Sequence, residues 1–460
     1  MPAPIAPERV LPTLNADGTR RRIRPKLYAG PRLTARRRVA WALMVLFAGL
    51  PWLELNGKPL VLLDLPRREF TLFGSTFLPT DGALLMLLLL SIFVAIIALT
   101  ALVGRAWCGW ACPQTVYMEF LFRPIERWFE GQPGEQRRLD AAGPNLRRIA
   151  KNGVFLLVAL GIANVFLAYF VGAKTLVAWM RLSPFEHWTP FLVVAATTGL
   201  VFFDFAIFRE QMCTVACPYA RIQAVLLDRS SLVVGYDRPR GEPRGKGKPL
   251  PGRGDCIDCN ACVAACPTGI DIRDGLQLEC IACAQCADAC DTIMPKIGKP
   301  LGLIRYGSQT ALETHGRSRV LRPRVAVYAV FLAGLLAALV AFGSNRASAE
   351  VTVLRGIGAP FVVDGARVTG ELRIKVQQRA KEARSYRIEL VAPGPVTLIA
   401  PENPLVIAAG AQRTTAVFAV APRSAFHAGR REITVRISDG RDFTIDVPYR
   451  LLGPAEESSR

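Results

Sequence analysis

The chain has 460 residues, 51% of them apolar and 20% charged, with 12 cysteines and a formal charge of +20 from 57 Lys and Arg against 37 Asp and Glu. Its mean hydropathy is +0.27 and its apolar residues fall in blocks, which excludes an ordinary soluble enzyme and an intrinsically disordered chain alike. A length of this order implies two or three folding units, at least one of them embedded in lipid.

Residues 1–38 form a basic arm with ten Lys or Arg. Windows of about 20 apolar residues mark helices that cross a hydrocarbon core of roughly 30 Å. Five such transmembrane helices are predicted, over about 39–55, 82–103, 153–173, 189–208 and 324–342. The first is interrupted by Pro51 and lacks a small-residue cleavage site, so no cleaved leader is expected. The 104–152 loop holds eight Lys or Arg, whereas the first and second segments are joined through only Lys58, Arg67 and Arg68, and the third and fourth through only Lys174 and Arg181. Short loops rich in these residues stay cytoplasmic, so the N-terminus and the long 209–323 connection are expected inside, and the tail beyond Phe342 on the far side. Topology and attraction to anionic lipid then account for the net charge, and no nucleic-acid partner is needed.

Each predicted crossing that returns the chain inside leads into a CxxxCP motif. Cys108-Gly-Trp-Ala-Cys112-Pro113 follows the second segment, and Cys213-Thr-Val-Ala-Cys217-Pro218, 105 residues on, follows the fourth. This reads as a tandem two-helix repeat. Residues four apart share a helix face, so each motif can present two sulfurs to one point, with the proline ending or restarting the helix. Arg105 and Arg209 just upstream favour the thiolate, and soft thiolates select Cu(I), zinc or iron–sulfur iron. Spacing alone leaves metal or redox chemistry, packing at a helix interface, and a disulfide within each motif all open. Asp204, inside the fourth segment, reads as a proton relay, an ion-pair partner for Arg209, or a group solvated at the interface. The three histidines, His187, His315 and His427, fall outside the segments, so no bis-histidine haem relay crosses the membrane.

Residues 236–253 are rich in Pro, Gly and positive charge and read as an extended, solvated linker. The remaining eight cysteines lie in one block, 254–323. Cys256, Cys259, Cys262 and Cys266, followed by Pro267, make CxxCxxCxxxCP, and Cys280, Cys283, Cys286 and Cys290 repeat the spacing 24 residues later. This matches the bacterial two-cluster ferredoxin pattern, in which the fourth cysteine of each motif serves the other cluster. The match implies an α+β ferredoxin-like domain with two [4Fe–4S] clusters, one held by Cys256, Cys259, Cys262 and Cys290, the other by Cys280, Cys283, Cys286 and Cys266. Zinc would need only four ligands per site at looser spacing, and a cytoplasmic loop is too reducing for a disulfide framework. The second motif departs from the pattern in ending Cys290-Asp291, without proline. After the fifth segment, residues 348–453 alternate in short stretches such as 373–377, 386–390, 416–420 and 432–438. About seven strands in roughly 100 residues point to an all-β immunoglobulin-like sandwich, with no cysteine and so a docking rather than a metal-storing role.

The double motif from Cys256 to Asp291, Gly302-Leu-Ile-Arg-Tyr306, the paired CxxxCP helices, the last crossing and the sandwich together resemble the FixG and CcoG family of cytochrome c oxidase accessory proteins, over nearly the whole chain. The resemblance implies a protein of the bacterial inner membrane, multi-pass, that reduces Cu(II) to Cu(I) for copper-centre assembly of cbb3-type oxidase. It implies copper, as substrate or bound ion, at Cys108, Cys112, Cys213 and Cys217. Its partners would be oxidase assembly factors, a copper chaperone or transporter, an electron donor not named by the sequence, and a second copy of the chain. Two alternatives remain: a quinol dehydrogenase-type membrane ferredoxin feeding a respiratory reductase, which shares CxxxCP pairs, and a non-catalytic assembly scaffold.

Overall fold

A computed structural model gives the fold. It describes residues 9–454 apart from 16, 18, 56–57, 67–68, 74, 78–80, 144, 247–251, 315, 317–321, 345–346, 380–381 and 392–393, so His315 lies outside the described residues. The chain divides into two compact units, Met1–Leu339 and Val340–Arg460.

Among the described residues, four helical stretches are long and apolar enough to cross a membrane: Gly82–Val103, Leu146–Val171, Trp188–Gln223 and Pro323–Ser344. The chain is a membrane protein. The first predicted segment is also a helix, but over Pro31–Gly49, ending in a tight turn, Leu50–Trp52, around Pro51. It starts at Pro31 because the missing N–H costs nothing in a first turn. This start brings Arg32, Arg36, Arg37 and Arg38 into the helix, too many charges for a span by composition. Its apolar half still packs on Leu146–Val171, where the Tyr169 hydroxyl donates to the Phe47 carbonyl at 2.7 Å and the two rings stack at 5.3 Å.

The basic arm is built into the fold rather than left free. The Lys26 N–H donates to the Ala264 carbonyl at 2.8 Å, Ile23 is buried, and Arg20 and Arg24 pair with Glu210 and Asp140. Beside it runs a layer of buried charge. Arg209 donates to both Glu126 oxygens at 2.8 and 3.0 Å and to Glu210 at 2.9 Å, and Arg123 pairs with Glu119. Buried charges persist only when paired and hydrogen-bonded, so this layer ties the 113–130 helical stretch to the end of the Trp188–Gln223 stretch.

The predicted linker is structured at its start. Val233–Tyr236 pairs antiparallel with Ile304–Gly307, and Arg240, in the helical turn Arg238–Gly241, donates to Asp255 at 2.6 Å and to the Leu301 carbonyl at 3.0 Å. Val233, Val234 and Tyr236 are buried. The chain on both sides of the cysteine block thus closes one domain, which composition alone read as solvated.

The second unit is a β-sandwich. One sheet orders Ala349–Arg355, Arg367–Gln378, Gln412–Pro422 and Thr397–Ile399, with Val362–Asp364 paired to the long second strand; the other orders Leu405–Ile407, Arg384–Val391, Arg430–Ser438 and Thr444–Leu452. Alternate residues Val368, Leu372, Ile374, Val417, Ala419, Val435 and Ile437 meet in its core. Three-residue strands such as Val362–Asp364 and Thr397–Ile399 are too short to show alternation, which explains why fewer strands were predicted than are present.

Burial acts to raise the Glu126 carboxyl, but the Arg209 charge and its hydrogen bonds outweigh it and hold Glu126 below the ordinary glutamate value of 4.5. Its contribution to stability is therefore complete above that value and is lost as pH falls through the lower folded value. Thermal unfolding in detergent should show an acid decline that Glu126→Gln flattens, with a cost at neutral pH of about 3 kcal/mol, the low end for a broken buried pair because Arg209 keeps Glu210. An unchanged acid limb in the variant would remove Glu126 from the account.

Candidate functional site

The eight cysteines of the ferredoxin-like block line two neighbouring cavities. Cys256, Cys259, Cys262 and Cys290 wall one, with Tyr236, Arg273 and Met294; Cys266, Cys280, Cys283 and Cys286 wall the other, with Cys262 at its edge. Each cavity draws its fourth sulfur from the other motif, because the helix Ala261–Ala265 delivers Cys266 away from its neighbours and the helix Gln285–Asp291 sends Cys286 and Cys290 to different cavities. The two loops share one backbone. Asp258 and Asn260 in the first, and Ala282 and Ala284 in the second, hold φ of 52°, 56°, 53° and 56° on either side of the middle cysteine. Such non-glycine conformations cost on the order of 1–3 kcal/mol each and persist where the surroundings impose them, often at ligand sites. Arg273 holds the first loop, donating to Asp258 at 2.5 Å and to the Asn260 oxygen at 2.6 Å.

The donor set fits a [4Fe–4S] cluster in each cavity. Burial pushes the Cys280 thiol up to about 12, so its thiolate needs a strongly positive partner, which coordinated iron supplies. Among the described residues no group of three His, Cys, Asp or Glu has the geometry of a single-ion site. None of the twelve cysteines is in a disulfide.

Asp291, which stands where a proline was expected, has its own work. It accepts from the Gly302 N–H at 2.9 Å and from Arg32 at 2.8 Å. One turn earlier, buried Asp288 accepts from the Leu33 N–H at 2.7 Å and from the Arg32 side chain at 3.2 Å, and so caps the helix Pro31–Gly49. A Cβ at Gly30 would lie 2.2 Å from the Asp288 carboxyl carbon, which explains the glycine.

The CxxxCP motifs do not lie on continuous helices, contrary to the expectation of two sulfurs on one face. Cys108 sits in the short helix Ala106–Trp110, whereas Cys112 is extended (φ −61°, ψ 126°) and precedes the helix opened by Pro113. Cys213 lies in the wide π-type turn Met212–Ala216, and Cys217 (φ −73°, ψ 108°) precedes the helix Pro218–Leu226. Proline excludes the residue before it from the helical region, which turns the second cysteine of each motif into a helix cap. All four sulfurs still interact electrostatically with one another. Arg105 acts on Cys108, yet burial outweighs it and pushes that thiol up to about 11. Arg209 turns to Glu126 and Glu210. It therefore makes no ion pair with Asp204, whose Oδ1 is buried without a partner among the described residues.

The first CxxxCP motif is docked on the second cysteine loop. A Cβ on Gly109 would lie 2.4 Å from the Ile281 carbonyl oxygen and 2.9 Å from the Cys283 backbone. Cys108 packs with Ile281, Cys283 and Tyr219. The Trp110 indole donates to the Tyr306 hydroxyl at 2.9 Å, which donates to the Ala282 carbonyl at 2.6 Å. Arg36 donates to the Gly109 carbonyl at 2.8 Å, and Arg105 reaches the Leu278 carbonyl. Gln223, fully enclosed, accepts from Cys108 Sγ at 3.0 Å and donates to Thr100 and Tyr219 at 3.1 and 2.8 Å. Sequence reasoning missed Gly109 and Gln223. Their signals were a glycine between two cysteines and the lone amide of the helix Pro218–Leu226.

Residues 208–309 match the family described as a 4Fe-4S dicluster domain, residues 85–131 a 4Fe-4S binding domain, and residues 339–454 the IG-like fold at the C-terminal of FixG. The nitrogen fixation protein FixG of Rhizobium meliloti is 36% identical over 428 residues, 81% of this chain and 79% of its own length. The chain belongs to the FixG family. Proteins RdxB and RdxA of Cereibacter sphaeroides are each 36% identical to it, over 88% and 79% of this chain and 91% and 81% of theirs. This FixG-family chain is an iron–sulfur electron-transport protein with a dicluster domain, apolar membrane helices and a C-terminal Ig-like fold.

Gly109→Ala should cost about 1–3 kcal/mol by overpacking against the Cys283 backbone. The expected result is a lowered thermal midpoint with iron content retained and an altered EPR spectrum of the reduced clusters. Wild-type stability with an unchanged spectrum would show that the contact does not form.

Proposed function

We propose that this FixG-family protein reduces Cu(II) to Cu(I) at its CxxxCP cysteines, for copper-centre assembly of a cbb3-type oxidase. The observation that supports this most directly is the contact of Cys108 and Gly109 with Ile281 and Cys283, which leaves no layer of protein between the Cys108 side chain and the loop of the second cavity. Cys256, Cys259, Cys262 and Cys290 would hold one [4Fe–4S] cluster, and Cys266, Cys280, Cys283 and Cys286 the other. When bound, these clusters supply electrons one at a time, the number Cu(II) requires. Tyr306 and Arg36 fix the separation by tying Trp110 to Ala282 and by holding the Gly109 carbonyl.

Cys108, Cys112, Cys213 and Cys217 meet the substrate copper. Soft thiolates favour Cu(I), so the cysteines that receive the ion also stabilise the product. The four sulfurs lie near enough to act on one another, and the ion they receive passes on to a chaperone or transporter. The Lys and Arg distribution supports a dicluster domain at the cytoplasmic face of the bacterial inner membrane, and the Ig-like unit suits docking of assembly partners.

The test uses protein purified anaerobically in detergent, reduced with dithionite and desalted. Two equivalents of Cu(II) should reoxidise both clusters in EPR, one electron from each, and yield two Cu(I), read with a chelator added after the transfer. Replacing Cys108, Cys112, Cys213 and Cys217 with serine should abolish Cu(I) formation and leave the cluster signals intact. Wild-type clusters that stay reduced beside Cu(II) would refute copper reduction.

A further inference from the structure

A cavity of about 580 Å³ opens among the membrane helices beside both CxxxCP motifs. The helix Pro31–Gly49 contributes Leu43 and Phe47 to its wall, together with Tyr117, Tyr169 and Phe205. The volume falls within the usual range for small-molecule sites, and the lining is almost wholly apolar, with a few polar groups as such sites have. Asp204 and Gln114 are among those groups and approach each other in the wall. Asp204 Oδ1 and Gln114 Nε2 are both buried, and neither makes a hydrogen bond of good geometry among the described residues, although the Gln114 side chain lies close enough to act on the Asp204 carboxyl. An acceptor and a donor that sit side by side in an apolar chamber and pair poorly carry a cost that a ligand hydroxyl bridging them can remove.

We propose that this cavity binds the ring of a membrane quinol and exchanges its electrons with the dicluster domain. The occupant must be apolar in bulk, soluble in the bilayer, and must offer one O–H to the Asp204 carboxylate and one oxygen to the Gln114 amide. A hydroquinone ring does both. A lipid acyl chain offers neither, and an anionic headgroup would meet the carboxylate with like charge. The cavity also adjoins the redox sulfurs. Its walls include Trp107, Ala111, Pro113 and Met212, chain neighbours of Cys108, Cys112 and Cys213, and Cys108 packs against Cys283 of the second loop.

The chemistry balances without a further reagent. One O–H bond of the quinol breaks with its proton passing to Asp204, the other with its proton passing to water, and two electrons leave singly, one to each [4Fe–4S] centre, so that the quinone departs. The same groups serve the reverse reaction. This inference rests on the dicluster domain alone and does not need copper as the acceptor.

The experiment uses copper-free full-length protein with its clusters in place, in lipid nanodiscs, and two probes, decylubiquinone and menadione. Binding is read first, by quenching of tryptophan fluorescence; Trp107→Phe should remove most of the saturable part. Protein reduced with dithionite and desalted is then mixed with each quinone, and cluster reoxidation is followed by absorbance. Asp204→Asn should slow it about a hundredfold, the scale of a lost general acid or base, while leaving quinone binding within a few-fold of wild type. Leu43→Trp, which fills the chamber, should abolish saturable quenching and leave dithionite reduction of the clusters intact. If Leu43→Trp loses its clusters, Asp204→Asn decides alone. Equal reoxidation rates in wild type and Asp204→Asn, or no saturable binding of either probe, would overturn the proposal and leave the chamber to lipid. Failure of copper reduction with these results intact would sink the copper reading and not this one.

Discussion

A helix begins with N–H groups that have no partner and with the positive end of its dipole, and where that end is buried against protein water is not there to meet them. Pro31–Gly49 starts after a glycine that has no side chain to give, and the missing acceptor comes from Asp288, more than 250 residues away, in the helix that carries Cys286 and Cys290. A capping carboxylate contributes about 0.5–2 kcal/mol in ordinary settings. Here its side chain is fully buried and also paired with Arg32, so losing it would leave Arg32 to Asp291 alone and open N–H groups at the helix start. The cap thereby couples two events. The first helix is complete only when the dicluster domain is seated, and the domain has that helix start as one of its seats.

From that contact the rest of the interface follows in order along the helix. One turn beyond the cap, Arg36 is fully buried, lies over the Phe120 ring and donates to the Gly109 carbonyl. That bond holds the first CxxxCP motif at the height where Gly109 meets the Cys283 backbone. The approach is closer than any side chain at Gly109 would allow, and it sets the gap between two groups of sulfurs by backbone contact rather than by flexible side chains. Electron transfer is steeply sensitive to such a gap. The left-handed residues around Cys259 and Cys283 serve the same end, since a loop held in a costly conformation on both sides of a cysteine has little freedom to move its sulfur.

The cysteine pattern was legible because ligand spacing is local: three thiolates two residues apart leave few ways to surround a cluster, and the helix and strand periods of the remaining segments are local as well. What escaped reading was the set of contacts made between distant parts of the chain. The arginines of the arm announced topology, yet Arg20 and Arg24 also close ion pairs with Glu210 and Asp140. The Pro and Gly of the 236–253 stretch announced solvation, yet Val233–Tyr236 just before it is a buried strand whose partner lies beyond the cysteines. Asp291 looked like a defect in a ferredoxin motif because its partners, Gly302 and Arg32, lie in other segments. Asp204 and Arg209 looked like a pair because they are one turn and a half apart, and only the position of Glu126 shows that the arginine is already engaged.

The two CxxxCP motifs also show what a repeat can hide. Their spacing is identical and their prolines restart helices in the same way, but the residue after the first cysteine differs. In the first copy it is Gly109, pressed on the Cys283 loop; in the second it is Thr214, whose hydroxyl meets Thr13 of the arm at 3.3 Å. The upstream arginines divide in the same sense, Arg105 reaching toward the dicluster loop at Leu278 and Arg209 into the buried charge layer with Glu126. One copy therefore carries the connection to the dicluster domain and the other the connection to the arm and the neighbouring helices. Four sulfurs that the sequence presents as equivalent are held by two different scaffolds, and it is the motif at Cys108 whose backbone presses on the Cys283 loop.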